Sequence, residues 1–322
     1  MFNKQSQTTD KRVGLVYSDI YLRHRTRFHP ERRERLTAVM DKLNETSLLD
    51  RLISIKPYPA TVEQLTYVHI PQYIRQVEEA CRNRLANLDP DTQIVPESYE
   101  VARWAAGGVL AAIDEVMQWQ VVRAFCAVRP PGHHALPDRA MGFCLFNNVA
   151  IGARYAQHKY NLKRVLIIDW DAHHGNGTYD IFASDPQVFY FSIHNYPYYP
   201  GTGSAAERGE GPGLGASLNV PLLEGRGDAE CIAAFKDKLL PAARKFEPEL
   251  ILISAGFDAH QQDPLGGMGM TTQGFGELTR IVCDLADELC SGRVVSVLEG
   301  GYNLPDLADS VVEHLRQLMA DE

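Results

Sequence analysis

The sequence predicts an α/β protein of one domain, built on a parallel β-sheet with helices on both faces. Short apolar runs alternate with longer segments whose apolar residues recur at helical spacing, the pattern of strand–helix–strand units. The runs at 165–168 and 250–253 are apolar without alternation, as strands buried on both faces must be, and 294–298 is apolar but for Ser296. No repeat or linker divides the 322 residues, and 45% hydrophobic with 23% charged residues is a globular composition long enough for one large core.

In order along the chain, residues 13–18 read as a first strand. Residues 31–52 read as a helix, with Leu36, Val39, Met40, Leu43 and Leu48 at helical spacing. A second strand is expected at 53–58 and helices at 61–67 and 72–88, the latter behind Pro71, whose fixed φ suits a first helical position. Residues 97–119 make a long helix, and its Ala105-Ala106-Gly107-Gly108 predicts close packing against a neighbour. A strand at 122–128 leads into a long loop, then a helix at 145–158 and strands at 164–169 and 188–194. The Gly- and Pro-rich 195–215 has no periodicity and reads as a functional loop. Residues 217–220 are strand-like, 228–246 helical, 250–254 a strand, 271–290 a helix, 294–298 a strand and 304–319 a closing helix.

The chemistry gathers at strand ends. Asp169, Asp171, His173 and His174 fall within six residues behind the run at 165–168, and the carboxyl ends of strands are where open α/β sheets bind ligands. Burying such acids and imidazoles is costly without a counter-charge, which a divalent cation supplies. Asp171 and His173, two apart, point to one side of an extended chain. Asp258, behind the run at 250–253 and a small-residue turn, is a candidate third ligand. Two carboxylates and one neutral imidazole suit a catalytic zinc with an open position; iron(II) and manganese accept the same ligand types. Two further segments complete a reaction centre: His133-His134 behind the stiff Pro130-Pro131-Gly132 turn, and Tyr302 behind Gly300-Gly301. The set is hydrolytic. A metal activates water and polarises a carbonyl, a histidine moves protons, and a phenol meets the developing oxyanion.

RPPGHH, GFCLFNN, DWDAHHGNGT, YYPGTG, SAGFDAH, DPLGG and LEGGYN occur in this order between Arg129 and Asn303, with HPE at His29 to Glu31. Together they resemble the histone deacetylase family, class II-like, as found also in bacterial deacetylase-like amidohydrolases, over nearly the whole chain. The resemblance implies the arginase/deacetylase fold with an eight-stranded parallel sheet flanked by helices. The polar first residues read as a flexible N-terminus over 1–12, and the resemblance makes 13–322 the catalytic domain. It implies one zinc per chain on Asp171, His173 and Asp258. His133 and His134 would be the tandem histidines, His134 the general base and acid, with Asp169 orienting His133. Asn176 would partner His134 where class I members usually carry Asp. Tyr302 would be the transition-state phenol, a position that is His in some poorly deacetylating class II members. Gly142, Phe143 and Tyr199 would line the tunnel around the acyl-lysine stem, with Leu265 and Gly301 also at the substrate. Leu265 falls where polyamine-selective relatives carry an acidic gatekeeper. A structural potassium is implied at Asp169, Asp171, His173, Ser192 and Ile193, mostly through main-chain oxygens. The family's N-terminal loop often has a proline two residues after HPE; here Arg32-Arg33-Glu34-Arg35 follows.

Composition bounds the rest. A net charge of −9 leaves no overall basic surface to hold nucleic acid by counterion release, whereas an acidic face suits cationic lysine peptides. Cys81, Cys126, Cys144, Cys231, Cys283 and Cys290 form no CxxC pair, which reads as reduced thiols and a cytoplasmic protein. No secretory pattern opens the chain and no apolar run reaches membrane-spanning length. His29, His69, His194 and His260 read as satisfied loop or core histidines. Arg23, Arg25, Arg27, Arg32, Arg33 and Arg35 read as a solvated face, with a rim contact for acidic substrate groups or a subunit interface as the sharper alternative. The expected function is zinc-dependent hydrolysis of acyl-lysine amides in a peptide or protein. Small acetylated amines such as acetylpolyamines are the runner-up, and an arginase-like dimanganese site and a non-catalytic acyl-lysine binder are further alternatives. A homo-oligomer is compatible with the sequence.

Overall fold

The computed structural model describes residues 12–320; the expected flexible stretch 1–12 lies outside the described residues except for Arg12. Eight parallel strands form one sheet: β1 (Val13–Val16), β2 (Ile53–Ile55), β3 (Arg123–Cys126), β4 (Val165–Asp169), β5 (Val188–Asn195), β6 (Ser217–Leu222), β7 (Leu250–Ala255) and β8 (Val294–Leu298). Their spatial order is β2-β1-β3-β8-β7-β4-β5-β6. The four central strands, β3, β8, β7 and β4, are buried along their whole length, which is why they read as largely apolar runs without alternation.

The helices are α1 (Glu34–Glu45), α2 (Val62–Leu65), α3 (Pro71–Arg82), α4 (Ser98–Met117), α5 (Asn148–Tyr160), α6 (Asn176–Phe182), α7 (Asp228–Ala234), α8 (Leu240–Phe246), α9 (Thr272–Cys290) and α10 (Leu304–Met319). Capping side chains set several boundaries. The Asn147 side chain accepts from Ala150 N, so α5 begins at Asn148 rather than at the expected 145. Thr271 and Asn303 cap α9 and α10 in the same way. The Ala-Ala-Gly-Gly expectation for α4 is met: a side chain on Gly107 would run into the Tyr58 carbonyl.

Two expectations are corrected, and one helix is added. The helix expected over 31–52 is only α1, because Glu31 is drawn inward as an ion-pair partner and Ser47 adopts a positive φ. The segment 228–246 stays helical, but a π-turn at Phe235–Leu239 joins α7 to α8. Helix α6, where the sequence predicts no element, forms directly behind the His173-His174 turn. Among the described residues no helix is long and apolar enough to cross a membrane. All six cysteines are buried and unbridged.

Candidate active site and metal centre

The sheet order puts the four motif-bearing strand ends side by side. The β3 end delivers His133 and His134, the β8 end Glu299 to Tyr302, the β7 end Asp258, and the β4 end Asp169 to His173. One donor atom each of Asp171, His173 and Asp258 lies within 4.8 Å of the others.

Backbone donors aim both carboxylates. Asp171 Oδ2 accepts from Gly300 N at 2.8 Å, and Asp258 Oδ1 accepts from Ala172 N at 2.8 Å. The remaining oxygens, Asp171 Oδ1 and Asp258 Oδ2, each lie 3.1 Å from His173 Nδ1. A Cβ on Gly300 would collide with both carboxylates, so this close approach requires glycine. Burial and the Asp171 charge push Asp258 up to about 7, against the lowering contact with His173. Burial opposes protonation of His173, yet its bonds to the two acids carry it well above its ordinary value. The arrangement therefore calls for positive charge at the point where the three groups converge. Two oxygens and one imidazole nitrogen, pinned from behind by the backbone, are a donor set that fits a divalent metal ion.

The tandem histidines stand beside the triad with their ring centroids 4.0 Å apart. His133 Nδ1 donates to Asp169 Oδ2 at 3.0 Å, and the same oxygen accepts from the Tyr190 hydroxyl. Burial works against a charge on His133, but the Asp171 and Asp169 carboxylates prevail and raise it to about 10. His134 pairs through Nδ1 with Asn176 Oδ1 at 2.8 Å. Burial, with His133 and His173 beside it, holds His134 well below its ordinary value. The neutral ring with its proton on Nδ1 leaves Nε2 as a base.

These groups open into a cavity of about 290 Å³ lined by His133, His134, Gly142, Phe143, His173, Tyr199, Leu265 and Tyr302, together with Asp91 and Tyr198. Phe143 meets Tyr302 edge-on at 5.8 Å. Asp263 ties the Tyr302 turn to the Leu265 loop: its Oδ2 accepts from Tyr302 N and Asn303 N, and its Oδ1 from Leu265 N. Of the sequence candidates, Gly301 is not among the lining residues; its carbonyl is turned to Arg35 Nε at 2.6 Å. His174 faces away from the triad and pairs with Thr202. Asp169 lies opposite Ser192 across the β4–β5 pairing, with Ile193 next along β5.

Sequence reasoning gave no role to Asp91, Tyr198, Asp263, Glu299 or the buried network behind the site. Glu299 Oε2 accepts from Gly132 N and His133 N, and Oε1 from the Ser254 hydroxyl, which fixes the histidine loop to β7 and β8. Glu31 binds Arg129 through both oxygens at 2.8 and 2.7 Å, and Arg35 at 3.3 Å. Arg35 continues to the carbonyls of Glu299 and Gly301. Arg35 is therefore fully buried and not part of the solvated face expected for it. His69, between the Leu136 carbonyl and Asn147 N, is a satisfied core histidine as expected.

The model of the histone deacetylase domain matches residues 29–318. A protein of Archaeoglobus fulgidus described as a probable deacetylase is 40% identical over 295 residues, covering 91% of this chain and 82% of its own. Histone deacetylase 10, chloroplastic, of Oryza sativa subsp. japonica is 39% identical, covering 92% and 71%. The human polyamine deacetylase HDAC10 is 41% identical over 90% of this chain and 45% of its own. Among solved structures, the HDA15 HD domain superposes with a TM-score of 0.92 at 37% identity, covering 96% of this chain and 90% of that one.

Proposed function

The chain belongs to the histone deacetylase family, and on that premise we propose that it is a zinc-dependent amidohydrolase that removes acetyl or related acyl groups from lysine side chains. One observation carries the reading: the aimed oxygens of Asp171 and Asp258 converge on His173 Nδ1 in a cavity that His134 and Tyr302 also line.

Asp171, His173 and Asp258 would hold the zinc, which when bound supplies Lewis-acid activation of water and of the acyl carbonyl. His134 accepts the proton of the attacking water at Nε2 as the new C–O bond forms, while Asn176 holds its Nδ1 proton in place. The Tyr302 phenol donates to the oxyanion of the tetrahedral carbon. When the C–N bond breaks, a histidine proton passes to the departing lysine amine, leaving a carboxylate and a free amine. His133, anchored by Asp169, carries the neighbouring positive charge. Gly142, Phe143 and Tyr199 would grip the apolar stem, and Leu265 would close the rim. A structural potassium on Asp169, Asp171, His173, Ser192 and Ile193 belongs to the same reading.

A second reading, hydrolysis of small acetylated amines, is favoured by Asp91. It sets a carboxylate in the cavity lining, where a cationic amine could pair with it, although Leu265 leaves the gatekeeper position apolar. The deciding assay compares an acetyl-lysine peptide with N-acetylputrescine and N8-acetylspermidine, using zinc-loaded and chelated protein. Zinc-dependent cleavage of the peptide alone supports the lysine reading; preference for the small amines overturns it.

A further inference from the structure

The arginine-rich stretch before α1 has no part in the proposed reaction. Arg23, Arg25 and Arg27 are exposed and alternate with the less exposed Leu22, His24 and Thr26. Arg23 closes a 3-10 turn (Asp19–Arg23), and Arg25 and Arg27 follow it in irregular chain. With Arg33 and Arg84 they line a cavity of about 630 Å³, in which the carboxylates are Glu34 and Glu97. Arg23 pairs with Glu100 and Arg33 with Glu34. Among the described residues, the side chains of Arg25, Arg27 and Arg84 have no hydrogen bond or ion pair. This local positive excess stands on a chain of net charge −9.

The backbone that carries the arginines is fixed from within. Arg129 Nη1 donates to the carbonyls of Tyr21 and His24, His24 Nδ1 pairs with the Ser98 hydroxyl at 2.7 Å, and the Thr26 hydroxyl donates to the Glu31 carbonyl. Guanidiniums on an anchored backbone, short of counter-charge, meet oxyanions with little ordering cost and with bidentate geometry. The cavity also adjoins the catalytic pocket. Arg27 N donates to Gln93 Oε1, His29 Nε2 pairs with the Asp91 carbonyl, and the His29 ring packs on Phe143 at 4.5 Å. Asp91 and Phe143 line the catalytic pocket, and two residue steps from Arg27 to His29 span at most about 7 Å.

We propose that the arginine cavity is an oxyanion subsite beside the catalytic rim. It takes clustered carboxylates or phosphates, carried either by residues roughly two to four positions from the acyl-lysine, a reach of about 7–14 Å, or by a free polyanion. Assignment to the substrate rests on the deacylase reading above; the anion affinity does not.

The test uses metal-loaded protein and a fluorescein-labelled hexa-aspartate peptide read by anisotropy. Arg25→Ala/Arg27→Ala/Arg84→Ala is expected to weaken binding about tenfold with an unchanged melting midpoint. The same charge removal at Arg244, Arg280 and Arg316 should leave binding intact. In parallel, acetyl-lysine peptides with and without flanking aspartates are compared. If the substrate is the source, the acidic peptide shows a lower KM in the wild type, and the advantage disappears in the first variant at constant kcat. Arginine-dependent hexa-aspartate binding without that advantage supports the subsite and assigns it to a free polyanion. The same binding with neither peptide cleaved keeps the subsite and sinks the deacylase reading. Binding that is absent, or equal in both triple variants, overturns the proposal.

Discussion

The Tyr302 phenol is kept protonated by its surroundings: burial raises its pKa, the Arg35 guanidinium at 5.0 Å from the ring opposes, and the Asp258 and Asp171 charges raise it further. A donor held in that state matters only where an oxyanion forms. Tyr302→Phe is therefore expected to lower kcat by about two to three orders of magnitude while zinc content and hydroxamate affinity stay at wild-type levels. Near wild-type turnover would remove the phenol from the reaction. Asp258→Ala withdraws an aimed oxygen and leaves its Ala172 N–H donor without an acceptor, so zinc measured by elemental analysis should fall well below one equivalent; a full complement would refute the ligand assignment. These residues were legible because each sits within a few positions of an apolar run and a small-residue turn. Asp91 was not. It lies in Asp89-Pro90-Asp91, where carboxylates commonly serve turns, and Asp89 does accept from Asp91 N and Thr92 N. Only the fold reveals that one of the two faces the cavity.

Between residue and fold, the N-terminal loop, β3 and β8 are joined by one buried element, the Glu31–Arg129–Arg35 cluster. Burial alone would raise Glu31, but the Arg129 guanidinium, with His24 and Arg35 behind it, brings it from 4.5 down to about 2. The folded value lies below the unfolded one, so the stabilisation is complete above about pH 4.5 and fades as pH falls through about 2. Glu31→Gln leaves two buried guanidiniums short of their anion and should cost on the order of 3 kcal/mol at neutral pH. Urea unfolding of chelated wild type and variant is the measurement. The gap should be large at pH 7 and shrink by roughly half at pH 3; an equal gap at both would mean that Glu31 is not held as a carboxylate. This cluster was hidden in the sequence because Arg35 stands in a run of arginines whose other members face solvent. Periodicity alone cannot tell which arginine reaches 264 residues along the chain to the Glu299 carbonyl. Helix α6 was hidden for a related reason: its first residues, Asn176 and Gly177, are poor interior helix formers, and the fold sets them at a helix start, where intrahelical N–H donors are not required.

At the scale of the whole molecule, the strand count and the helix alternation follow from hydrophobic periodicity, but the strand order does not. Periodicity is local, whereas the order is decided by which crossovers pack. The consequence for chemistry is large. β4 and β7 are neighbours in register, Asp169 beside Ser254, although 85 residues separate those positions in sequence. The metal donors thus come from two separately wound units, and the Gly300 N–H that aims Asp171 comes from a third. An ion bound there links β4, β7 and β8, and the unfolded chain offers no such site. Binding should therefore appear as stability as well as activity. With free zinc at about a thousand times its dissociation constant, the native state gains about 4 kcal/mol, a rise of roughly 5–8 °C in the melting midpoint for a chain of this size. Calorimetric melts of chelated, zinc-loaded and re-chelated protein measure that rise. Asp258→Ala should melt at one temperature under all three conditions, because a donor set missing its β7 member no longer ties the strands together. Equal midpoints for chelated and loaded wild type would mean that the Asp171, His173 and Asp258 cluster is stable without a cation, and the charge deficit inferred at its centre would have to be met by the His173 proton alone.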